Sequence, residues 1–263
     1  MEWLITNKVG AFRVLSPLFP RMTHPDIAYT IDELPDNDSI ERHCENIRNM
    51  RKKGDIRLSL HPDQFNVLSS PRGEVVDNTI TELEYQGMLA EKIGAEVINI
   101  HGGGVYGEKE AALSRFKHNF RRLSGRVQSR LTIENDDRSY SPADLLPICR
   151  DLGIPMVYDV HHHRCNSDNL SIEEATTECV KTWEALRREP YFHISSSREG
   201  YDSGKPRPHA DYISVEDFPH EWLKLDVTVD VEAKAKELAV LRLQKDLGLR
   251  ISSLADNASD PRL

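Results

Sequence analysis

The stretch Met156-Val157-Tyr158-Asp159-Val160-His161-His162-His163 decides the fold, because it joins a strand to a set of metal-binding side chains. Its first three residues are apolar and follow Pro155, a pattern that predicts a short buried strand. An acid and three histidines then follow where the strand should end. One turn of backbone directs Asp159 and His162 toward the same place. A carboxylate and an imidazole together suit Zn2+ or Mn2+, although a solvated polar loop explains this one cluster equally well.

Length and composition predict one large soluble domain. The chain has 263 residues, of which 38% are hydrophobic and 29% are charged. This is enough chain for a single α/β barrel, and we expect residues 1–250 to form it, with residues 251–263 as a disordered tail. No apolar run approaches the length of a membrane span and no signal peptide opens the chain. We therefore expect a cytoplasmic protein with no membrane contact.

The cysteines and the net charge narrow the class of protein further. Cys44, Cys149, Cys165 and Cys179 form no CxxC pair, which favours reduced thiols over a disulfide framework or a thiolate zinc site. The net charge of −9 argues against a general nucleic-acid coat protein. It does not exclude local binding of phosphate, because bound divalent metals are themselves large positive charges.

Strand and helix patterns alternate along the chain, and this alternation predicts a parallel sheet. The predicted strands are Ala11–Leu15, Ile56–Leu60, Val97–Ile100, Leu131–Ile133, Met156–Tyr158, Pro190–Phe192 and Asp226–Val231. The predicted helices are Asp38–Lys53, Glu74–Ile93, Glu108–Leu123, Ser141–Leu152, Ser171–Leu186 and Ala235–Leu247. Met1–Lys8 resembles the end of a helix. We therefore predict a (β/α)8 TIM barrel that lacks the first strand and most of the first helix.

Metal-competent residues stand at the ends of six successive predicted strands: His61, His101, Glu134, Asp159, His193 and Glu232. In a (β/α)8 barrel the carboxyl ends of the strands converge on one mouth, whereas a doubly wound sheet spreads them along an edge. A lone histidine there is usually a satisfied polar group, and a lone acid is often a helix cap. Six such residues in succession favour a closed barrel with a shared metal site, which His162 and His209 extend toward a third metal.

At these residues the sequence resembles the UV damage endonucleases, DNA repair enzymes related in fold to endonuclease IV and xylose isomerase. The similarity covers about residues 1–240, and the motif set as a whole is highly specific. The matching segments are Leu60–Phe65, Ile100–Gly103, Ile133–Asp136, Asp159–His163, Phe192–Ser196, Pro208–Ala210 and Val231–Lys234.

The resemblance implies an enzyme that nicks duplex DNA immediately 5′ of UV photoproducts by metal-assisted hydrolysis. It implies two to three divalent metals per chain, Mn2+ first, with Zn2+, Co2+ or Mg2+ as alternatives. His61, His101 and Glu134 would hold one metal, and Glu134 would bridge to a second held with Asp159, His193 and Glu232. His162 and His209 would hold a third. Among these, His101, Glu134, Asp159 and Glu232 are the expected catalytic residues.

The resemblance also implies residues that contact the lesion. Gln64 and Phe65 fall where the family places a pair that wedges into the duplex, although packing of Phe65 under its own loop is the plain alternative. His24, in Thr23-His24-Pro25, matches a further family histidine near the site, and Lys234 is another possible site residue.

Three positions depart from the family pattern. Phe65 stands where the family commonly has Tyr, so stacking survives without a hydroxyl. Tyr191 stands where a Lys is frequent, and Arg207 stands where endonuclease IV has an acidic ligand. The last departure leaves the third metal site poor in protein ligands.

Two other functions remain open from the sequence. A sugar isomerase or epimerase uses the same barrel with two metals bound by Glu, Asp and His. A non-catalytic module that binds damaged DNA fits the expected missing strand. The aromatic wedge and the additional histidines favour UV-damaged duplex DNA as the partner, and we expect the protein to be a monomer.

Overall fold

Seven strands form one parallel sheet in a computed structural model that describes residues 1–249 of the chain. Their order in the sheet follows the sequence without a crossover. The strands are β1 Ala11–Val14, β2 Arg57–Leu60, β3 Val97–His101, β4 Leu131–Glu134, β5 Met156–Asp159, β6 Tyr191–Ile194 and β7 Thr228–Val231. Each overlaps the strand predicted from the sequence. The tail predicted for residues 251–263 lies outside the described residues.

Helices connect the strands and cover the outside of the sheet. They are α1 Glu2–Thr6, α2 Asn37–Lys53, α3 Gly73–Ile93, α4 Lys109–Phe120, α5 Gly125–Gln128, α6 Pro142–Leu152, α7 Val160–Cys165, α8 Ile172–Glu184 and α9 Glu237–Asp246. The predicted helices are confirmed apart from their last residues. The sequence did not predict α5 as a separate helix, or α7 as more than one turn.

The helix ends show why these boundaries fall where they do. The predicted capping box is present in α8, where Ser171 and Glu174 each accept a hydrogen bond from the other's backbone N–H. The side chain of Glu84 accepts hydrogen bonds from both the amide and the hydroxyl of Ser124, at 2.7 Å each. This contact fixes the turn that separates α4 from α5.

The sheet curves into a nearly closed (β/α)8-like barrel. Because neighbouring strands are all parallel, their carboxyl ends lie at one mouth. β1 and β7 lie next to each other, but within residues 1–249 no hydrogen-bonded ladder pairs them. A side-chain ion pair bridges this seam, with Nη2 of Arg13 at 2.6 Å from Oδ2 of Asp230.

The opposite end of the barrel is filled by Arg57. Its Nη1 donates to the carbonyl oxygen of Pro190 at 3.1 Å and to Oγ1 of Thr228 at 3.0 Å, both near the start of the last strands. Its guanidinium also lies 5.3 Å from the ring centroid of Tyr191. Arg57 therefore closes the end that is remote from the mouth.

The composition raised two further expectations, one about membrane spans and one about the cysteines. No helix within residues 1–249 combines the length and apolar character of a membrane span. All four cysteines are free thiols, and three of them, Cys44, Cys149 and Cys179, are buried in the core. Their burial matches a packing role rather than a redox or metal-binding role.

Substitution of a core leucine in α3 should show how much this packing contributes to stability. Leu89 is fully buried against the sheet, so Leu89→Ala should lower the free energy of unfolding by about 2–5 kcal/mol. Leu238→Ala, at an exposed position of α9, should change it by no more than about 0.5 kcal/mol. Urea unfolding of both variants measures the difference, and equal small effects would contradict the packing described here.

Candidate metal centre

The strand-end residues predicted from the sequence meet at the barrel mouth. His101 is the last residue of β3 and is paired in register with Glu134, the last residue of β4. Asp159 ends β5 and is paired in register with His193 of β6. Side chains of paired residues on parallel strands project in the same direction. Strand register therefore places four of the six candidates side by side.

Two groups of side chains are close enough to hold metal ions. His61, His101 and Glu134 form one, and Glu134, Asp159 and His193 form the other; in each, the ligand atoms all lie within 4.8 Å of one another. Glu134 belongs to both groups, which is the arrangement of a bridging carboxylate. The same grouping follows from the resemblance, and the assignment of each residue as a ligand remains a prediction.

Several donor atoms at this centre make no hydrogen bond, although Nδ1 of His193 and Oε1 of Glu134 lie 3.2 Å apart as an ion pair. Within the described chain, buried atoms without a hydrogen-bond partner include Nδ1 of His101, Oε1 of Glu134, Oδ2 of Asp159 and Nδ1 of His193. An unsatisfied buried polar group ordinarily costs about 1–3 kcal/mol. Four of them in one cluster, all of types that bind divalent metals, indicate that the residues present fit such ions.

Neighbouring carbonyl groups orient two of the histidines. Nδ1–H of His61 donates to the carbonyl oxygen of Pro62 at 3.1 Å, and Nδ1–H of His162 donates to that of Asn135 at 3.0 Å. A carbonyl accepts only from a protonated nitrogen, so Nε2 is the ring nitrogen that each of these histidines could offer to a metal. This is the usual way in which proteins fix the tautomer of a metal-binding histidine.

Asp159 is fixed by its neighbours on both sides. It is the N-cap of α7, where Oδ1 accepts from the backbone N–H of His162 at 2.7 Å. The side-chain amide of Asn135 donates to the carbonyl of Asp159 at 2.8 Å and accepts from its N–H at 2.9 Å. These contacts leave Oδ2 directed toward the cluster. The helix-cap alternative is therefore correct for one oxygen and leaves the other available.

Asparagine side chains near the cluster were missed by the sequence analysis. Nδ2 of Asn99 donates to Oε2 of Glu134, while its Oδ1 accepts from the hydroxyl of Thr132 at 2.8 Å. Asn99 precedes His101 by two residues, so the alternation of a strand places both on the inner face. The two-residue spacing from His101 could have identified Asn99. The position of Asn135 directly after Glu134 could have identified Asn135.

Burial and mutual charge shift the pKa values of the cluster. Burial would raise the pKa of Glu134, but its electrostatic interactions with His193 and His101 lower it well below its usual range. Burial would lower the pKa of His193, but Glu134 raises it to about 9. Burial would also lower the pKa of His162, but the charge of Asp159 raises it well above its usual value. Without metals, these protons balance the buried carboxylates.

The proposed third metal site is less complete. The rings of His162 and His209 lie 6.3 Å apart, and Nδ1 of His209 is 3.9 Å from Oε2 of Glu232. Within residues 1–249, no third histidine, cysteine or acid joins these two histidines in a ligand group. Nε of Arg207 lies 3.3 Å from Oδ2 of Asp137, so this side chain adds no ligand. The third metal site therefore has few protein ligands among the described residues, as the presence of Arg207 led us to expect.

Arg13 is the main site residue that sequence analysis missed. Its Nη2 lies 2.6 Å from Oε1 of Glu232 and 3.1 Å from Nε2 of His193. Glu232 therefore contacts a guanidinium rather than joining either ligand group. Burial would raise the pKa of Glu232, but the charge of Arg13 lowers it. The available signal was the alternation of β1, which places Arg13 and Ala11 on one face and the exposed Phe12 on the other.

A cavity of about 460 Å³ separates the cluster from the predicted wedge. Its lining includes residues 62–65 together with Arg13, His61, His101, Glu134, His162 and Glu232. Phe65 is 77% exposed, and its backbone N–H donates to Oδ1 of Asp63 at 2.8 Å. The alternative that Phe65 packs under its loop is therefore wrong, because the ring faces solvent at the mouth. Gln64 beside it is exposed as well.

The two additional candidates lie apart from these groups. His24 is exposed, and its Nδ1 accepts from the backbone N–H of Asp26 at 3.2 Å. Lys234 is exposed, with its backbone N–H bonded to the carbonyl of Ala210 at 3.2 Å. Among the contacts found in residues 1–249, none joins either side chain to the histidine cluster.

The fold and site define a class: a (β/α)8-like barrel whose mouth gathers buried imidazoles and carboxylates that could hold metal ions around a shared glutamate. Comparison with known proteins specifies the family. The family model UV-endonuclease UvdE matches residues 1–258. The UV DNA damage endonuclease of Bacillus velezensis is 32% identical over 258 residues, covering 94% of this chain and 78% of that protein. The chain therefore belongs to the UV-endonuclease UvdE family.

Comparison with solved structures agrees with this family assignment. The crystal structure of SacUVDE superposes with a TM-score of 0.83 at 32% identity, covering 94% of this chain and 83% of that one. Endonuclease IV from Thermus thermophilus superposes with a TM-score of 0.65 at 18% identity, covering 94% of this chain and 93% of that one. At that lower identity the second comparison shows the common barrel alone.

The raised histidine pKa values predict that metal uptake releases protons. In the metal-free protein, His162 and His193 hold protons near neutral pH, and a metal requires the unprotonated lone pair. The affinity for Mn2+ should therefore increase as the pH rises toward about 9. Calorimetric titration with Mn2+ in two buffers of different ionisation enthalpy counts the protons released.

The same titration on two histidine variants tests the origin of these protons. His162→Ala should reduce the number released, whereas His118→Ala, at an exposed position of α4, should leave it unchanged. A heat of binding that is the same in both buffers would show that the histidines are already unprotonated.

Proposed function

We propose that this protein is a metal-dependent DNA repair endonuclease that hydrolyses a phosphodiester immediately 5′ of UV photoproducts in duplex DNA. The observation that carries the proposal is the pair of ligand groups sharing buried Glu134, at a cavity whose other wall is the exposed Phe65 loop. Membership of the UV-endonuclease family supports it, as does the name of the Bacillus velezensis relative.

The side chains at the mouth would have different roles, either holding a metal or fixing the residues that hold it. His61, His101 and Glu134 would hold one metal, and Glu134, Asp159 and His193 a second, with Glu232 at the edge of the cavity. Divalent metals in such a site polarise phosphate oxygens and acidify water. Asn99 and Asn135 keep Glu134 and Asp159 in place by hydrogen bonds. Preorganised ligands of this kind cost no reorganisation during the reaction.

Residues 63–65 would supply recognition of the lesion. The Asp63 side chain holds the loop turn through the amide of Phe65, which leaves the aromatic ring and the Gln64 amide facing outward. A photoproduct weakens base stacking, so the damaged step costs less to open than an intact one. Insertion of Phe65 at that step would replace part of the lost stacking. Selectivity then comes from deformability of the duplex rather than from base-edge contacts.

Incision of a defined substrate tests the reaction. Manganese-loaded protein should nick a duplex with a single UV photoproduct immediately 5′ of the lesion and should leave the undamaged duplex intact. His101→Ala removes a donor of the first ligand group, so incision should fall to background together with manganese content. End-labelled strands resolved on a denaturing gel locate the nick.

The outcomes also separate this function from the alternatives. Binding of the damaged duplex by fully metal-loaded protein without a nick would replace the proposal with a non-catalytic binding module. Interconversion of ketose sugars without incision would replace it with an epimerase.

Truncation of the exposed ring tests the wedge separately from catalysis. Phe65→Ala should weaken binding of damaged duplex by about 1–3 kcal/mol, the value of stacking on one base. Manganese content should stay unchanged, because Phe65 belongs to neither ligand group. Trp3→Ala, an exposed aromatic on α1, is the matched control and should bind as the wild type does. Normal lesion binding by Phe65→Ala, or loss of its metal, would remove the wedge assignment.

A further inference from the structure

The environment of Arg13 differs from that of a structural arginine. The side chain crosses the seam between β1 and β7 and contacts Asp230, Glu232 and His193. It nevertheless remains 30% exposed. It lines the cavity in front of the cluster and also a second cavity of about 710 Å³ that adjoins it past Phe65. The guanidinium is therefore placed where substrate would reach it.

A positive side chain beside a metal centre requires compensation. Divalent ions at the two ligand groups would repel the guanidinium, and Glu232 would be drawn toward those ions. Asp230 supplies the compensating charge, since its Oδ2 lies 2.9 Å from Nε and 2.6 Å from Nη2 of Arg13. Asp230 belongs to neither ligand group. It therefore holds Arg13 independently of Glu232.

Asp230 is in turn anchored from inside the barrel. The hydroxyl of Tyr191 donates to Oδ2 of Asp230 at 3.3 Å and lies 2.9 Å from Oγ of Ser59. Tyr191 is fully buried, and burial raises the pKa of its hydroxyl far above the usual value, so it remains a donor. The residue that departs from the family lysine thus supports the carboxylate that fixes Arg13.

We propose that Arg13 is a phosphate-binding residue of the site, held by Asp230 so that its guanidinium contacts the backbone phosphate at the position of incision. This assignment rests on the proposed function and adds a residue to it. The contacts with Asp230, Glu232 and His193 use Nε and Nη2, and we assign Nη1 to phosphate. A planar guanidinium suits both partners at once, because it bonds a carboxylate along one edge and an anion along another.

The competing role for Arg13 is purely positional. A guanidinium that only orients its neighbours would affect manganese binding through His193, a member of the second ligand group. It would make no distinction between phosphorylated and unphosphorylated DNA. A phosphate-binding guanidinium would leave manganese binding unchanged and would favour the phosphorylated DNA. Metal content and phosphate discrimination therefore separate the two roles without measuring turnover.

A nicked duplex supplies a stable phosphate probe. The probe carries the lesion at the 5′ end of the downstream strand at the nick, prepared once with a terminal 5′-phosphate and once with a hydroxyl. Fluorescence anisotropy gives the affinity of manganese-loaded protein for each form. The wild type should prefer the phosphate form by about tenfold or more, since tenfold is the value of one charge-assisted contact.

Variants then assign this preference to Arg13. Arg13→Gln should lower it by about tenfold with manganese content unchanged, and only the preference contributed by bound manganese should remain. Arg13→Lys should lower it less, because charge remains without the planar fork. Asp230→Asn, which removes the charge that holds Arg13, should weaken it in the same direction. Arg122→Gln is the matched control, since Arg122 is also paired with an aspartate, Asp77, at 2.6 Å, and belongs to neither cavity lining.

Several outcomes would overturn the assignment. It fails if the wild type shows no preference for the phosphate form, or if Arg13→Gln retains the full preference. It also fails if Arg13→Gln loses manganese, because the guanidinium would then act by positioning His193 at the ligand group. Failure of the wild type to nick an intact damaged duplex, with the phosphate preference present, would count against the proposed function and not against Arg13.

Discussion

The buried carboxylate of Glu134 is the constraint on which the rest of the mouth depends. It lies fully buried at the end of β4, with the histidines His61, His162 and His193 each 3.2 Å from its oxygens. An ionised carboxylate is tolerated at such a depth only when opposite charges or metals surround it. Strand register brings the histidines to this group and Asn99 donates to it directly, while the α7 cap and Asn135 fix Asp159 beside it.

This constraint also explains the chemistry that the mouth can perform. Imidazoles and carboxylates that balance one another without metals exchange their protons for divalent ions when these bind. The cavity at the mouth is lined both by residues of this cluster and by the exposed Phe65, and the proposed function rests on this combination.

The seam between β1 and β7 gives the site its second charged element. Strand pairing is replaced there by an ion pair between Arg13 and Asp230, with Glu232 on the same guanidinium. The barrel thus uses at its seam the kind of side chain that recognises phosphate. Tyr191 and Asp230 occupy the interior layer below, so that residues deep in the barrel control the position of a group at its mouth.

Much of this protein could be predicted from sequence because the relevant signals are local. Alternating strand and helix patterns gave the barrel, and acids or histidines at strand ends gave the candidate ligands, since parallel strand ends must converge. The sequence did not predict α5 or the full length of α7. Those helices depend on contacts from distant residues, such as the Glu84 side chain that binds Ser124.

The order of the strands and the candidate residues at their ends were thus determined by the sequence itself. Only the tertiary structure decided that Asn99, Asn135 and Arg13 belong to the site, that Phe65 faces solvent, and that Glu232 contacts a guanidinium. Asn99 and Arg13 lie on inner strand faces, where many polar residues are merely structural, and Arg13 meets Asp230 across 217 residues of chain. Periodicity shows which face a side chain takes, whereas its partner depends on how the sheet curves and closes.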